Sequence, residues 1–253
     1  MKPPAPPSDV DALHSAMLRA GESVPALRAT LQTHAPDSAV LIALLRRAVP
    51  LRLLEILAAP PWSEDARILA GVTLNPRAPL PLSLRVLPSL FWRDLAAVAL
   101  APHVARPVRV RAEAILKEKV GDLRLGERIA LAKIATAPVL PLLLADTSPH
   151  VAEACLINPR LREEDLVIAL RQETASAALV EASCLSTRWC QNYAVRLELV
   201  LQPRTPLPLA LGQLSALVPR DLRRVGSAPV AQLLRVAAER LLERAPAEPE
   251  PET

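Results

Sequence analysis

Residues 75–82 read Asn-Pro-Arg-Ala-Pro-Leu-Pro-Leu, and residues 202–209 read Gln-Pro-Arg-Thr-Pro-Leu-Pro-Leu. The two segments lie 127 positions apart (202 minus 75), and six of their eight residues are identical. The match continues in both directions without a gap, so that Trp62–Leu100 aligns with Trp189–Ser227. A match of this length within one chain indicates an internal duplication.

The duplication extends beyond that ungapped segment. Omitting His103 continues the match toward the C-terminus, and an offset of 126 residues continues it toward the N-terminus. Copy one then spans about residues 37–118 and copy two about 163–244, with connecting helices at about 119–162. Together they predict one structural domain over residues 9–244.

Both ends of the chain fall outside this pattern. Residues 1–8 are rich in proline, and residues 245–253 read Ala-Pro-Ala-Glu-Pro-Glu-Pro-Glu-Thr. Neither segment has an apolar face to bury, so we predict two disordered tails.

The composition favours an all-α fold. Hydrophobic residues make up 51% of the 253 residues, which is enough for a large core, yet glycine occurs only six times, too seldom for many hairpin turns. The 27 prolines separate short stretches with helical spacing, such as Val230, Leu233, Leu234 and Ala237. Because short helices are stable only when packed on neighbours, we predict an α-solenoid of short stacked helices, internally duplicated.

Three Asn-Pro or Gln-Pro segments resemble the leucine-rich-repeat variant family and, more loosely, HEAT-like helical repeats. They begin at Asn75, Asn158 and Gln202, and each is followed by a leucine-rich stretch. The resemblance implies stacked short helices, some of them 3₁₀. Some members of that family carry an N-terminal cysteine cluster for an iron–sulfur centre, but the first cysteine here is Cys155, so we do not carry the cluster over.

The residues that recur between repeats are interpreted as structural. Proline after asparagine disfavours a helical asparagine and ends the helix, and the next proline begins a new one. Trp62 and Trp189 are interpreted as volume-filling anchors between repeats. The structural signature comprises Trp62, Asn75, Pro76, Pro79, Asp94, Asn158, Pro159, Trp189, Pro203, Pro206 and Asp221.

The sequence offers no constellation for catalysis, a cofactor or a metal. It lacks glycine-rich phosphate loops and HExxH spacing, and no serine or cysteine lies in a nucleophile elbow. The three cysteines are widely spaced, which is typical of buried thiols in a reducing compartment. The N-terminus lacks an apolar signal segment, and the longest uncharged apolar stretch, Ile134–Ala145, is shorter than a membrane span. We therefore predict a cytoplasmic protein that is not an enzyme and has no membrane partner.

Three functional hypotheses follow. The first is a non-catalytic scaffold or adaptor that binds a protein or peptide. The second is a nucleic-acid-binding protein with an arginine-rich groove, compatible with a net charge of +4. The third, by analogy with HEAT-like alkylpurine DNA glycosylases, is an enzyme using Asp94 beside Trp92. Six arginines are candidate partner-binding residues: Arg77, Arg93, Arg204, Arg220, Arg223 and Arg224. The sequence leaves the partner, the binding face and the oligomeric state open.

Overall fold

The computed structural model of the chain describes residues 7–244. Over that range the chain forms seventeen α-helices, three short 3₁₀ helices and no strand, which confirms the predicted all-α class. The first helix begins at Pro7, two residues before the predicted domain start, since proline is tolerated in the first helical turn. Disorder was predicted for residues 1–8 and 245–253; residues 7 and 8 instead belong to this first helix, and residues 1–6 and 245–253 lie outside the described residues.

The described part of the chain divides into two compact units with the boundary between Asp122 and Leu123, within the segment predicted to connect the two copies. Unit 1 precedes this boundary and unit 2 follows it. Unit 1 contains eight α-helices between residues 7 and 119. They are α1 (Pro7–Ala20), α2 (Val24–His34), α3 (Ser38–Leu44), α4 (Leu51–Leu57), α5 (Ala66–Leu74), α6 (Leu80–Val86), α7 (Trp92–Leu100) and α8 (Arg106–Lys119). The 3₁₀ helices are Trp62–Glu64, Leu87–Ser89 and Val120–Asp122.

Unit 2 contains nine α-helices between residues 125 and 244. They are α9 (Leu125–Ile134), α10 (Leu140–Leu144), α11 (Pro149–Leu156), α12 (Glu163–Arg171), α13 (Ala177–Leu185), α14 (Tyr193–Leu201), α15 (Leu207–Leu214), α16 (Pro219–Ser227) and α17 (Gln232–Arg244).

The helices of the two sequence copies correspond one to one. Helices α4 to α8 begin at the residues that align with the first residues of α13 to α17, and α3 corresponds to α12 within one residue. The shared prolines account for part of this agreement, because Pro81 and Pro208 both lie in the first turn of their helices.

Within each unit, most helices contact the helix two positions along, and many also contact a chain neighbour. In unit 1 the series α1, α3, α5 and α7 is in contact, and in unit 2 the series α10, α12, α14 and α16. Nearly all helices have fewer than fourteen residues, so their stability depends on these contacts. At the end of unit 2, for example, α14 to α17 bury one apolar cluster that includes Val200, Leu214, Val225 and Ala238.

Three buried amide side chains each join a helix to the helix two positions earlier. The Asn75 amide, after α5, donates to the carbonyls of Leu45 and Arg47 after α3, at 2.8 and 2.7 Å. Asn158, after α11, donates in the same way to carbonyls at the end of α9, and Gln202, after α14, to those at the end of α12. Each amide satisfies helix-end carbonyls that have no partner within their own helix.

The amide oxygen of each side chain completes the arrangement by accepting a backbone N–H two residues further on. The donors are the N–H groups of Arg77, Arg160 and Arg204. Asn75 has the extended backbone expected of a residue before proline, which ends the helix. The side chain adds a second reason, because it fixes one helix end against the next.

A glycine in α5 allows a close helix contact in copy one. A Cβ atom at Gly71 would lie 2.9 Å from Leu45 Cδ1 and 3.2 Å from Leu45 Cβ, and Leu45 is buried. By contrast, a Cβ atom added at Gly212 in α15 would meet no other atom within 4 Å.

We expect Gly71→Ala to destabilise the protein by about 1 kcal/mol, because overpacking outweighs the helix propensity that alanine adds. Gly212→Ala is the matched control and should stabilise it by about 0.5–1 kcal/mol. Urea denaturation followed by circular dichroism measures both. Equal shifts in the same direction would show that the contact with Leu45 does not constrain the helix.

Candidate functional site

A groove of about 820 Å³ lies in unit 2, where the C-terminal ends of α12, α14 and α16 lie side by side. Its apolar lining consists of Leu170, Leu201, Pro203, Ala228 and Pro229. Its charged and polar lining consists of Arg171, Glu173, Glu198, Gln202, Arg204, Arg223, Arg224 and Ser227. The groove is thus a partly apolar surface with four arginines and two glutamates around it.

An ion pair joins two of the helices that form the groove. Arg171, the last residue of α12, donates from Nη2 to Oε1 of Glu198 on α14 at 2.5 Å. The Glu198 side chain is 8% exposed, whereas that of Arg171 is 64% exposed. The hydrogen bond and charge of Glu198 raise the pKa of Arg171. Glu198 therefore holds the guanidinium group by one of its nitrogens, while most of the arginine side chain faces solvent.

A hydrogen-bond network holds Arg224 of α16. The Tyr193 hydroxyl, at the start of α14, donates to Asp221 Oδ2 at 2.6 Å and accepts the backbone N–H of Val218. Asp221 also accepts from Nη1 of Arg224 at 2.9 Å. The hydrogen bond from Tyr193 is the largest cause that lowers the pKa of Asp221, while burial is the largest cause that raises the pKa of Tyr193. Asp221 is therefore a buried, ionised anchor for Arg224.

Arg204 is held at the other side of the groove. Its Nη1 donates to the carbonyl of Ala175 at 2.8 Å, and its backbone N–H donates to Gln202. Since a guanidinium group has five N–H donors in a planar fork, these arginines can be fixed by the protein and still present donors to a bound carboxylate or phosphate.

The equivalent position in copy one lacks this charge. Leu45 and Gly71 stand where copy two has Arg171 and Glu198, and Ala96 and Ala97 stand where it has Arg223 and Arg224. Leu45 and Gly71 pack closely against each other in copy one, whereas Arg171 and Glu198 form an ion pair at the aligned positions of copy two. Of the groove arginines, only Arg204 has an arginine counterpart in copy one, Arg77.

His103 also distinguishes copy one. Its imidazole Nε2 lies 2.8 Å from the carbonyl oxygen of Leu74 at the end of α5, the counterpart of Leu201. Copy two has a one-residue deletion at this place, and the corresponding region there is the open groove.

The structure brings some of the six predicted arginines together. Arg204, Arg223 and Arg224 line the groove, whereas the exposed Arg220, near the start of α16, does not. In unit 1, Arg77 follows the end of α5 and pairs with Glu22 at 3.6 Å. Arg93 lies near the start of α7, 5.2 Å above the Trp92 ring.

Arg77 and Arg93 do not meet, because α5 and α7 run in the same direction. The start of α5 and Phe91, which precedes α7, line one shallow cavity, while His103, which follows α7, contacts the end of α5. The two arginines therefore lie at opposite ends of the helix series.

Among the other candidates, the two tryptophans differ in environment. Trp189 is 4% exposed and donates from Nε1 to the Leu156 carbonyl at 2.9 Å. Trp62 is half-buried and lines the shallow cavity with the exposed Phe91. Asp94, the residue of the glycosylase hypothesis, is also half-buried, and burial raises its pKa while Arg93 opposes that shift.

Sequence reasoning missed Arg171 and Glu198. Each looks like an ordinary helix-surface residue when read alone, and they are 27 positions apart. Comparing the two copies shows that both positions differ, but most aligned positions differ as well, so no signal in the sequence singles out this pair.

The residues described by the structure contain no group of three or more His, Cys, Asp or Glu residues arranged to hold a metal. Cys155 and Cys184 are buried, and burial is the main cause that raises their pKa values to about 12 and about 11. Thiols of this kind are poor nucleophiles near neutral pH. Cys190 is less buried.

We expect a thiol reagent at mildly alkaline pH to modify Cys190 quickly in the folded protein, while Cys155 and Cys184 react only after denaturation. Mass spectrometry of the labelled peptides identifies the sites. Cys190→Ser should abolish the fast phase. Fast labelling of Cys155 or Cys184 in the native chain would contradict the burial described here.

Among residues 7–244, no helix is both long enough and apolar enough to cross a bilayer. Comparisons with known proteins found no matching family model and no significant similarity to a curated protein or to a solved structure. The functional argument therefore rests on the chemistry of the groove.

Proposed function

We propose that the protein is a non-catalytic scaffold or adaptor of stacked short helices, an α-solenoid related to HEAT-like or leucine-rich-repeat variant proteins, that binds a protein or peptide. The contacts between helices two positions apart and the recurring amide connections support this architecture. The three free cysteines are in keeping with an intracellular setting.

The observation that carries the proposal is the groove at the ends of α12, α14 and α16. It combines an apolar surface, formed by residues such as Leu170 and Leu201, with converging polar groups, which is the usual make-up of a binding site. Three of its arginines, Arg171, Arg204 and Arg224, are held by Glu198, the Ala175 carbonyl and Asp221, respectively. This arrangement supports recognition more than catalysis.

Selection of random displayed peptides on the immobilised full-length chain tests the proposal. Ser227 is exposed and lines the groove, so Ser227→Trp should fill it without disturbing the core. Ala216→Trp, at an exposed residue outside the groove, is the control. We expect peptides that bind the wild type and the control but not the filled variant. Recovery of no binding peptide, or equal binding by all three proteins, would refute the proposed function.

A further inference from the structure

The charge of the groove, its helix ends and its apolar surface limit the chemistry of a partner. Four arginines and two glutamates line it, which leaves a formal charge of two positive. The C-terminal end of each helix adds about half a negative charge, so the three ends offset much of this excess. The groove is therefore weakly positive, and it suits a ligand with a few anionic groups rather than a polyanion.

We propose that the groove binds a short, extended acidic peptide in which carboxylate side chains alternate with apolar ones. The inference deepens the proposed function and rests on it. In an extended chain successive side chains point to opposite sides, so carboxylates can meet the arginines while apolar side chains cover Leu201 and Ala228. Arginine and carboxylate form bidentate, charge-assisted hydrogen bonds, which are stronger than neutral ones.

The width of the groove sets the length of the peptide. Three neighbouring helices with axes about 8–10 Å apart span roughly 16–20 Å between the outer axes. An extended chain covers about 3.3 Å per residue, so roughly six residues cross the groove. Such a segment places two or three carboxylates within reach of Arg171, Arg204, Arg223 and Arg224.

The weak positive charge of the groove favours an acidic peptide over a nucleic acid. Glu173 and Glu198 in the lining repel anionic groups, and they repel a continuous row of phosphates more than a peptide that carries two or three carboxylates. Arg171, Arg223 and Arg224 have no arginine counterparts in copy one, so the positive charge of the groove is not a feature shared by both copies.

Fluorescence anisotropy with the full-length chain tests the inference. The probe is a labelled octapeptide, Leu-Asp-Leu-Glu-Leu-Asp-Leu-Glu, and its matched control replaces each acid by its amide. The protein variants are Arg223→Gln/Arg224→Gln and, as a control on the same helix but outside the groove, Arg220→Gln. Thermal melts establish that the variants are folded.

We expect the amide peptide to bind at least about tenfold more weakly than the acidic one, as loss of charge-assisted hydrogen bonds predicts. The double variant should weaken acidic-peptide binding by a similar factor or more, and Arg220→Gln by less than about twofold. Equal affinity for both octapeptides would overturn the acidic specificity and leave the proposed function standing if selected peptides still bind. Tighter, salt-sensitive binding of a single-stranded or duplex oligonucleotide, lost in the double variant, would overturn the inference in favour of nucleic acid.

Discussion

Trp189→Ala is expected to lower the free energy of unfolding by about 3–5 kcal/mol, the usual range for removing a buried tryptophan. The side chain is 4% exposed, and its indole N–H satisfies the Leu156 carbonyl at the end of α11. Truncation creates a cavity and leaves that carbonyl without its donor. Urea denaturation followed by far-UV circular dichroism measures the loss.

The chain provides a matched control in Trp62, which occupies the aligned position of copy one. Because Trp62 is only half-buried, Trp62→Ala should cost about 1–2 kcal/mol. Trp189→Phe should fall between the two alanine variants, since it keeps most of the volume and loses the N–H donor. A loss for Trp62→Ala as large as that for Trp189→Ala would contradict the different environments of the two side chains.

Asn158→Asp should also destabilise the protein strongly, by about 3–5 kcal/mol at neutral pH. Asn158 is fully buried, and its amide donates to the carbonyls of Ala132 and Ala135 at 2.7 and 3.1 Å. An ionised carboxylate of the same shape would place an uncompensated negative charge against two oxygen acceptors. Asn158→Ala should cost less, about 2–3 kcal/mol, because it removes hydrogen bonds without burying a charge.

The control for this isosteric change is Asn192→Asp. Asn192 is the residue immediately before α14. Its Oδ1 accepts the backbone N–H of Val195, and aspartate serves that helix-capping role as well as asparagine does. We expect a change within about 1 kcal/mol, even though the amide also contacts Glu163. Chemical denaturation of the three variants should rank them with Asn158→Asp the least stable. If Asn158→Asp proves as stable as Asn192→Asp, Asn158 does not join α9 to α11 as described.

The short helices and some of their starts were predictable from the sequence because the signals are local. A proline lies in the first turn of α6 and of α15, for example, and the first residues of α4–α8 align with those of α13–α17. The partners of the buried amides were not predictable, since Asn75 reaches carbonyls 28 and 30 positions earlier. Such contacts depend on how the helices pack, and a short-range sequence pattern does not predict this packing.

Trp62 and Trp189 occupy aligned positions in the two copies but lie in different environments. Ser23–Leu31 weakly resembles Ser148–Leu156, which makes the Leu31 carbonyl in the last turn of α2 the counterpart of the Leu156 carbonyl. The Leu31 carbonyl accepts the N–H of Ala35, which closes α2 in a left-handed conformation. At the end of α11 the corresponding donor is the Trp189 indole. One local difference in a helix end therefore changes the environment of a residue that the alignment treats as equivalent.

The candidate groove was predictable only in part. Arg204, Arg223 and Arg224 were among the six candidate arginines, but Arg220, Arg77 and Arg93 lie outside the groove. Which helix ends lie together in space depends on the relative directions of neighbouring helices. Arg93 and Arg220 lie near helix starts, whereas the groove is formed by helix ends.

The central claim, that an acidic peptide lies across the ends of α12, α14 and α16, is tested most directly by photo-crosslinking. In the same acidic octapeptide, a residue with a benzophenone side chain replaces the third of the four leucines. The peptide is irradiated with the full-length protein, and the attachment sites are mapped by mass spectrometry. We predict crosslinks confined to residues 170–173, 198–204 and 223–229, and lost on competition with the unlabelled acidic peptide. Crosslinks concentrated on unit 1, or spread evenly over both units, would contradict the account.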